Sequence, residues 1–251
     1  MSIIEELISA EYDSSGVETT KEFMVVATQR SGSTYFCQRL WETGCLGYPT
    51  EYLSAAQGQI IRARLKPRTV EEMWRKLKER RTSQNGVFSL KIMSSQIHFF
   101  EKKDAEVLRH LPSKAIVIER KDKIAQAVSY VIAGLTNSWY FDCPPLKDLE
   151  SWYDFETIRS SLSYLEEDIS YYKKFLSDRG IETLEVFYED FLANEAQTVQ
   201  NAASFVGVDL DPSLKVSIPI LQSQYSELNR KLAERFKSDL ALVTQLEDVL
   251  S

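Results

Sequence analysis

Residues Phe23 to Gly44 read FMVVATQRSGSTYFCQRLWETG, an apolar run that breaks into a glycine-centred, hydroxyl-rich loop and then resumes at helical spacing. This order predicts a strand, an anion loop and a helix. Phe23 to Ala27 form a short, nearly continuous apolar run of the kind found in strands covered on both faces. Gln29-Arg30-Ser31-Gly32-Ser33-Thr34 then supply a turn able to aim several backbone N–H groups at one point, at the positive end of the next helix's dipole. Such a loop suits a phosphate or a sulfate. Arg30 offers a planar fork for a tetrahedral oxyanion, and Ser33 and Thr34 add hydroxyl donors. Phe36 and Leu40, with Cys37 and Trp41 less regularly, are predicted to face the core, and Gly44 to end the helix. The nucleoside-triphosphate loop G-x-x-x-x-G-K-[ST] is not met, since the segment has one loop glycine and no lysine, which disfavours a kinase or ATPase. By itself the segment also fits a plain Gly-Ser turn joining strand to helix, so a second site is needed.

The chain has 251 residues, 43% of them hydrophobic, enough for one sizeable core, and no stretch resembles a long linker. Acids outnumber bases 37 to 30, for a formal charge of −7. That balance argues against general attraction to nucleic acid or to an acidic membrane, so any anion must be held by a local basic pocket. Cys37, Cys45 and Cys143 are odd in number and form no C-x-x-C pair, which suggests neither a disulfide framework nor a zinc site. No metal cluster is expected. A reducing cytoplasm fits best; no run has the length of a membrane span, and the acidic start MSIIEELISAEYD lacks the order of a signal peptide.

Further along, Gly47 to Leu53 reads as a turn-rich connector and Thr69 to Arg81 as a charged amphipathic helix, opened by Thr69 with Glu72 three residues on. Val87 to Met93, Ala115 to Glu119 and Thr183 to Tyr188 read as strands. A helix is predicted from about Asp122 to Asn137, with an apolar stripe of Ile124, Val128, Val131, Ile132 and Leu135. A longer one is predicted from about Leu149 to Asp178, stopped by Gly180. Strands alternating with helices predict an α/β fold with a central parallel sheet, whose ligands sit at the carboxyl ends of the strands. We expect a single domain over 1–251, with an N-terminal extension over 1–20 and mainly helical stretches over 147–180 and 222–251.

The strand AIVIE runs into Arg120-Lys121-Asp122-Lys123, and Ser129 follows on the next helix, two turns or roughly 10 Å beyond Asp122. Arg120 and Ser129 could therefore clasp one phosphate, although such residues are also common as solvated side chains.

The two constellations together resemble the sulfotransferases that use 3′-phosphoadenosine-5′-phosphosulfate (PAPS), in particular the bacterial trehalose 2-sulfotransferase family. The matching stretches are ATQRSGST, GYPTEYL, GVFSLKIM and ERKDKIAQAVSY, over roughly the first 140 residues, and VFYEDF ending at Phe191 resembles a strand-end Tyr-Glu-Asp element of sulfotransferases. The resemblance implies a P-loop-like fold of the sulfotransferase and nucleotide-kinase type with a helical C-terminal part. It implies that Arg30 to Thr34, with Gln29, hold the 5′-phosphosulfate, that Arg120 and Ser129 hold the 3′-phosphate, and that Tyr188 lies near the nucleotide. Glu51 matches the family's catalytic glutamate, and Lys91 is a candidate contact to the sulfate or the acceptor. Arg30 stands where better-known cytosolic and Golgi members carry lysine, and no Arg-Lys-Gly segment occurs near the C-terminus; Gln222, Gln224 and Arg230 are candidates to supply the missing contacts. The implied acceptor is a sugar, glycolipid or other small alcohol, with Tyr48, Tyr52, Trp139, Tyr140 and Trp152 as candidate pocket aromatics or core. A homodimer is implied too, with Leu146 to Tyr172 as a candidate contact. His98 and His110 read as structural. Two other readings stay open: a small-molecule kinase needing ATP and magnesium, and a nucleotide-binding protein without chemistry, which would have no need of Glu51.

Overall fold

The computed structural model describes residues 6–14, 16–139, 149, 152–216, 218 and 226–250. Tyr140, Cys143, Leu146, Gln222 and Gln224 lie outside the described residues. The chain divides into two compact units, Met1–Glu119 with Asp168–Ile220, and Arg120–Glu167 with Leu221–Ser251.

The first unit is built on four parallel strands, β1 (Lys21–Ala27), β2 (Val87–Met93), β3 (Lys114–Glu119) and β4 (Glu182–Phe187), in the order β2-β1-β3-β4. The predicted strands all form, except that Tyr188 starts a helix instead of ending β4. Between β1 and β2 come helices α1 (Ser33–Glu42), α2 (Ala55–Leu65) and α3 (Val70–Arg81), and between β2 and β3 comes α4 (Ser94–Lys103). Because the chain goes from β1 to β2 on one side and then passes over β1 to β3 on the other, the direction of winding switches at β1 and β3. The crevice outside the carboxyl ends of the strands opens at such a switch, and the loop after β1 lies there.

Strands β1, β2 and β3 bury both faces, as their apolar runs require, whereas the edge strand β4 is mostly exposed or half-buried. Met24, Val26, Phe88, Leu90, Ile92, Ala115 and Val117 join one cluster with Trp74 and Leu77 of α3 and Ile97 of α4. Phe23, Val25, Ala27, Ile116 and Ile118 join the other, with Phe36, Cys37 and Leu40 of α1. Side chains alternate along a strand, so β2 sends Val87, Ser89, Lys91 and Met93 to the α1 face. Two of those four are polar. Ser89 donates to the Leu46 carbonyl at 2.9 Å. Lys91 is the other, and the site is built around it. Connector Gly47 to Leu53 is coil, as expected, and Gly47 lets it close on β2: φ is 69°, and a Cβ there would fall 2.5 Å from Ser89 Oγ.

The long helix α6 runs over Phe155–Asp178, starting later than the Leu149 expected from periodicity; Leu149 and Trp152 precede it. It is followed by β4, the short α7 (Tyr188–Ala193) and α8 (Glu195–Val206). Helix α5 (Lys123–Thr136) begins the second unit, where Asp122 caps it by accepting from the Ala125 N–H at 2.9 Å. The predicted stripe packs as a group: Val128 and Val131 are buried, and Ile124, Ile132 and Leu135 lie against them, with Ile158, Leu165, Leu232 and Phe236. The last two come from the C-terminal helix α9 (Glu227–Leu250).

Candidate active site

The anion loop leaves β1 under backbone control. Arg30 has φ 61°, uncommon for a side-chain-bearing residue, and Gly32, at the N-cap of α1, has φ 85°. This alternation of left-handed residues turns successive N–H groups toward one side, the geometry of an anion nest. A Cβ at Gly32 would fall 2.1 Å from Tyr188 Cδ2, so any larger residue there must push the Tyr188 ring aside. Tyr188, the first residue of α7, therefore packs directly on the loop. Ser31 is fully buried, and its Oγ has no hydrogen-bond partner among the described residues. A buried hydroxyl of this kind costs stability unless something completes it, so an oxyanion fits the loop's chemistry.

Connector and strand bring the acid to the loop. The Lys91 N–H donates to the Thr50 carbonyl at 2.9 Å, so the residue after Thr50 must lie beside the Lys91 side chain. Glu51 Oε1 accordingly pairs with Lys91 Nζ at 2.9 Å, and the same Nζ donates to Thr34 Oγ1 at 2.7 Å. One ammonium group thus joins the predicted base to the predicted loop. Lys91 lies inside β2, with only 5% of its side chain exposed against 14% for Glu51. A buried lysine needs such partners, because an unpaired buried charge is strongly disfavoured.

Gln57, Gln96 and Ser95, which the sequence alone does not mark, complete this framework together with Gln29. Gln57 Oε1 accepts from Thr50 Oγ1 at 2.6 Å and from the Glu51 N–H at 2.7 Å. Gln96 Nε2 donates to Glu51 Oε2 at 2.8 Å. Gln29, predicted as a nucleotide contact, donates from Nε2 to Ser95 Oγ at 2.9 Å and so ties the loop to α4. The one signal for Gln96 is its position as third residue of a helix that starts directly after a strand, where a side chain reaches back to the N-cap.

Other groups around the site are neutral or structural. Burial pushes the Cys37 thiol up to about 12, against the opposing pull of Lys91, so no thiolate forms there. His98 stacks on Tyr171 with ring centroids 3.4 Å apart, and His110 stacks on Trp74 at 6.2 Å. Tyr52 is not a pocket aromatic: it is buried at 1% exposure, its hydroxyl donates to the Tyr48 carbonyl at 2.6 Å, and it accepts from Arg81 Nε at 3.0 Å. Among the described residues, no group of His, Cys, Asp and Glu could hold a metal ion, and no helix is long and apolar enough to cross a membrane.

In the second unit, Ser129 is buried on α5 at 5% exposure, and Arg120 precedes the Asp122 cap. Trp139 meets Tyr130 edge-on at 5.8 Å. Arg230 pairs with Glu227 and, at 2.7 Å, with Glu234 on its own exposed helix. These partners account for it as a surface residue.

A parallel sheet with a glycine-hinged loop at its switch point, beside a lysine and a carboxylate, fits an enzyme that transfers an oxyanion group. The chain belongs to the Stf0 sulphotransferase family, whose model matches residues 22–239, and it is a sulfotransferase. The trehalose 2-sulfotransferase of Mycobacterium tuberculosis is 23% identical, over 87% of this chain and 95% of its own length. That of Mycolicibacterium smegmatis is 23% identical over 86% and 94%. Among solved structures, the sulfotransferase domain of the Synechococcus PCC 7002 olefin synthase overlays with a TM-score of 0.48 and 17% identity, covering 88% of this chain and 89% of that one.

Proposed function

We propose that the protein moves the sulfuryl group of PAPS to a hydroxyl of a carbohydrate or other small alcohol, with Glu51 as general base. The observation that carries this reading is the chain Glu51–Lys91–Thr34, with contacts of 2.9 and 2.7 Å, which sets a carboxylate beside an anion loop. A pure binder of nucleotide has no use for a carboxylate there, since it repels the ligand. The acceptor oxygen attacks sulfur as Glu51 takes its proton; the new O–S bond forms while the bond from sulfur to the bridging oxygen breaks, and 3′-phosphoadenosine-5′-phosphate leaves. Arg30, Lys91 and the loop N–H groups stabilise the charge that develops on the sulfuryl and bridging oxygens. Ser31, Ser33 and Thr34 complete the loop, and Tyr188 walls it. Arg120 and Ser129 are assigned to the 3′-phosphate on the strength of the family resemblance. The trehalose 2-sulfotransferases support a sugar acceptor, and the span of the family match supports one sulfotransferase domain over 1–251.

Isothermal titration of the full chain with 3′-phosphoadenosine-5′-phosphate, beside adenosine diphosphate and without metal, tests the donor. We expect the 3′-phosphorylated nucleotide to bind at least about tenfold more tightly, as one charge-assisted phosphate contact warrants. Equal or absent binding overturns the donor assignment.

A further inference from the structure

We infer that Gln96 is a positioning residue for sulfuryl transfer: its side-chain amide holds the Glu51 carboxylate in place and fixes which of its oxygens meets the acceptor. This rests on the reading of Glu51 as base and deepens it.

The amide can face only one way. Gln96 Oε1 accepts from the Met93 N–H at 3.3 Å, at the end of β2, while Nε2 donates to Glu51 Oε2 at 2.8 Å. Turning the amide over would set a carbonyl against a carboxylate and an NH₂ against an N–H, two repulsive contacts in place of two hydrogen bonds. The register of β2 therefore dictates the orientation of a group on Glu51. The two carboxylate oxygens are consequently unequal. Oε1 carries the ion pair to Lys91 at 2.9 Å, and among the described residues Oε2 meets the neutral Gln96 donor. A proton on either oxygen neutralises the carboxylate, but on Oε2 it leaves Oε1 able to go on accepting from Lys91, so Oε2 is assigned as the oxygen that takes the proton. Gln57 holds the other end of the residue through the Glu51 N–H at 2.7 Å, leaving the side chain little freedom.

Helix α4 supplies both halves of the geometry. Ser95, beside Gln96 in the first turn, receives the Gln29 amide from the anion loop at 2.9 Å. One rigid turn thus spaces the base from the loop that carries the reacting group, and displacement of a catalytic group by about an ångström can cost two orders of magnitude in rate.

Among the described residues, Lys91 and Cys37 are titratable groups coupled to Glu51. Lys91 of β2 is cationic, and the Cys37 thiol of α1 is neutral because burial pushes it up to about 12. Gln57 of α2, Gln96 of α4 and Thr34 of α1 carry no charge. Arg30 of the anion loop is a further cation of the candidate site, and it is the same in wild type and in every Gln96 variant.

The test uses the full chain as wild type, Gln96→Met and Gln96→Glu. Methionine keeps the length and removes the hydrogen bond; glutamate keeps the acceptor for the Met93 N–H but sets a second carboxylate against Glu51. The side-chain carboxyl carbon of Glu51 is titrated by carbon-detected NMR and assigned by its loss in Glu51→Gln. We expect the titration midpoint to rise by roughly half a pH unit in Gln96→Met and by about one unit or more in Gln96→Glu, because the ionised form loses a donor and then meets a like charge. In parallel, release of 3′-phosphoadenosine-5′-phosphate from PAPS, with trehalose or otherwise water as acceptor, should fall about tenfold in kcat for Gln96→Met with donor affinity unchanged. A role only in capping α4 predicts that Gln96→Glu behaves as wild type, and an unmoved midpoint in both variants overturns the inference. Normal turnover in Glu51→Gln overturns the base assignment itself, whatever the titration gives, so the two failures are distinct.

Discussion

Gly32 shows how tightly the site is specified at the scale of one residue. It combines φ 85° with a ring placed where a Cβ would project, so Gly32→Ala must both strain the backbone and displace Tyr188. We expect that variant to lose about 1–3 kcal/mol of stability and to bind 3′-phosphoadenosine-5′-phosphate at least about tenfold more weakly; thermal melts and titration calorimetry check the pair, and wild-type affinity would remove the loop from the site. Glu51→Gln should behave differently: turnover falls by about 10²–10⁴, the usual worth of a general base, while donor binding stays within about twofold. Most of this site is legible in the amino-acid sequence. The loop residues and Glu51 stand in a recognisable order, and Lys91 is visible as a charge in an apolar strand. Its burial is not, because sequence gives the alternation of β2 but not that α1 and the connector close over one face. Gln57 and Gln96 are hidden for a related reason. An amide acts by what lies opposite it, and their partner Glu51 is brought over by long-range packing.

Elements are legible where a local cap or period governs them. Thr69 opens α3 by accepting from the Glu72 N–H at 3.1 Å, and Asp122 opens α5 in the same manner. Periodicity alone starts α6 too early because Leu149 and Trp152 continue the helical spacing, yet the Asp154 carboxylate accepts from the Thr157 N–H at 3.0 Å and fixes the start beyond them. Arg81 is the larger lesson. In sequence it is the last of several charges in RKLKERR; in the fold it is fully buried, and its guanidinium donates to the Leu7 carbonyl at 2.7 Å and to Tyr52 Oη at 3.0 Å. It also lies over the rings of Trp41, Tyr48 and Tyr52. The end of α3 thereby anchors the segment before β1. Arg81→Met should cost about 2–5 kcal/mol, since it strands buried acceptors and removes the cation from three aromatic faces. Urea denaturation measures it, and a loss below about 1 kcal/mol would show that the anchor is dispensable.

Over the whole molecule the balance of charges sets how stability follows pH, and Asp168 makes an unfavourable contribution at neutrality. Burial, at 3% exposure, pushes its carboxyl above the usual carboxylate range, against the opposing pull of the Ser94 hydroxyl at 2.7 Å and of His98. Its second oxygen has no hydrogen-bond partner among the described residues. A carboxyl whose value is raised by folding binds its proton more tightly in the native chain than in the unfolded one. Stability from this group is therefore unpenalised below the unfolded value, about pH 4, and declines as pH rises through the native value, above which the full penalty applies. The formal charge of −7 adds self-repulsion in the same direction. Asp168→Asn removes the ionisation yet can still accept from Ser94. We expect it to melt higher than wild type at pH 7, with the difference shrinking steadily toward pH 4. A variant that melts lower at pH 7 would mean that the Asp168 charge is offset by His98, and the His98→Gln variant would then lose the same increment.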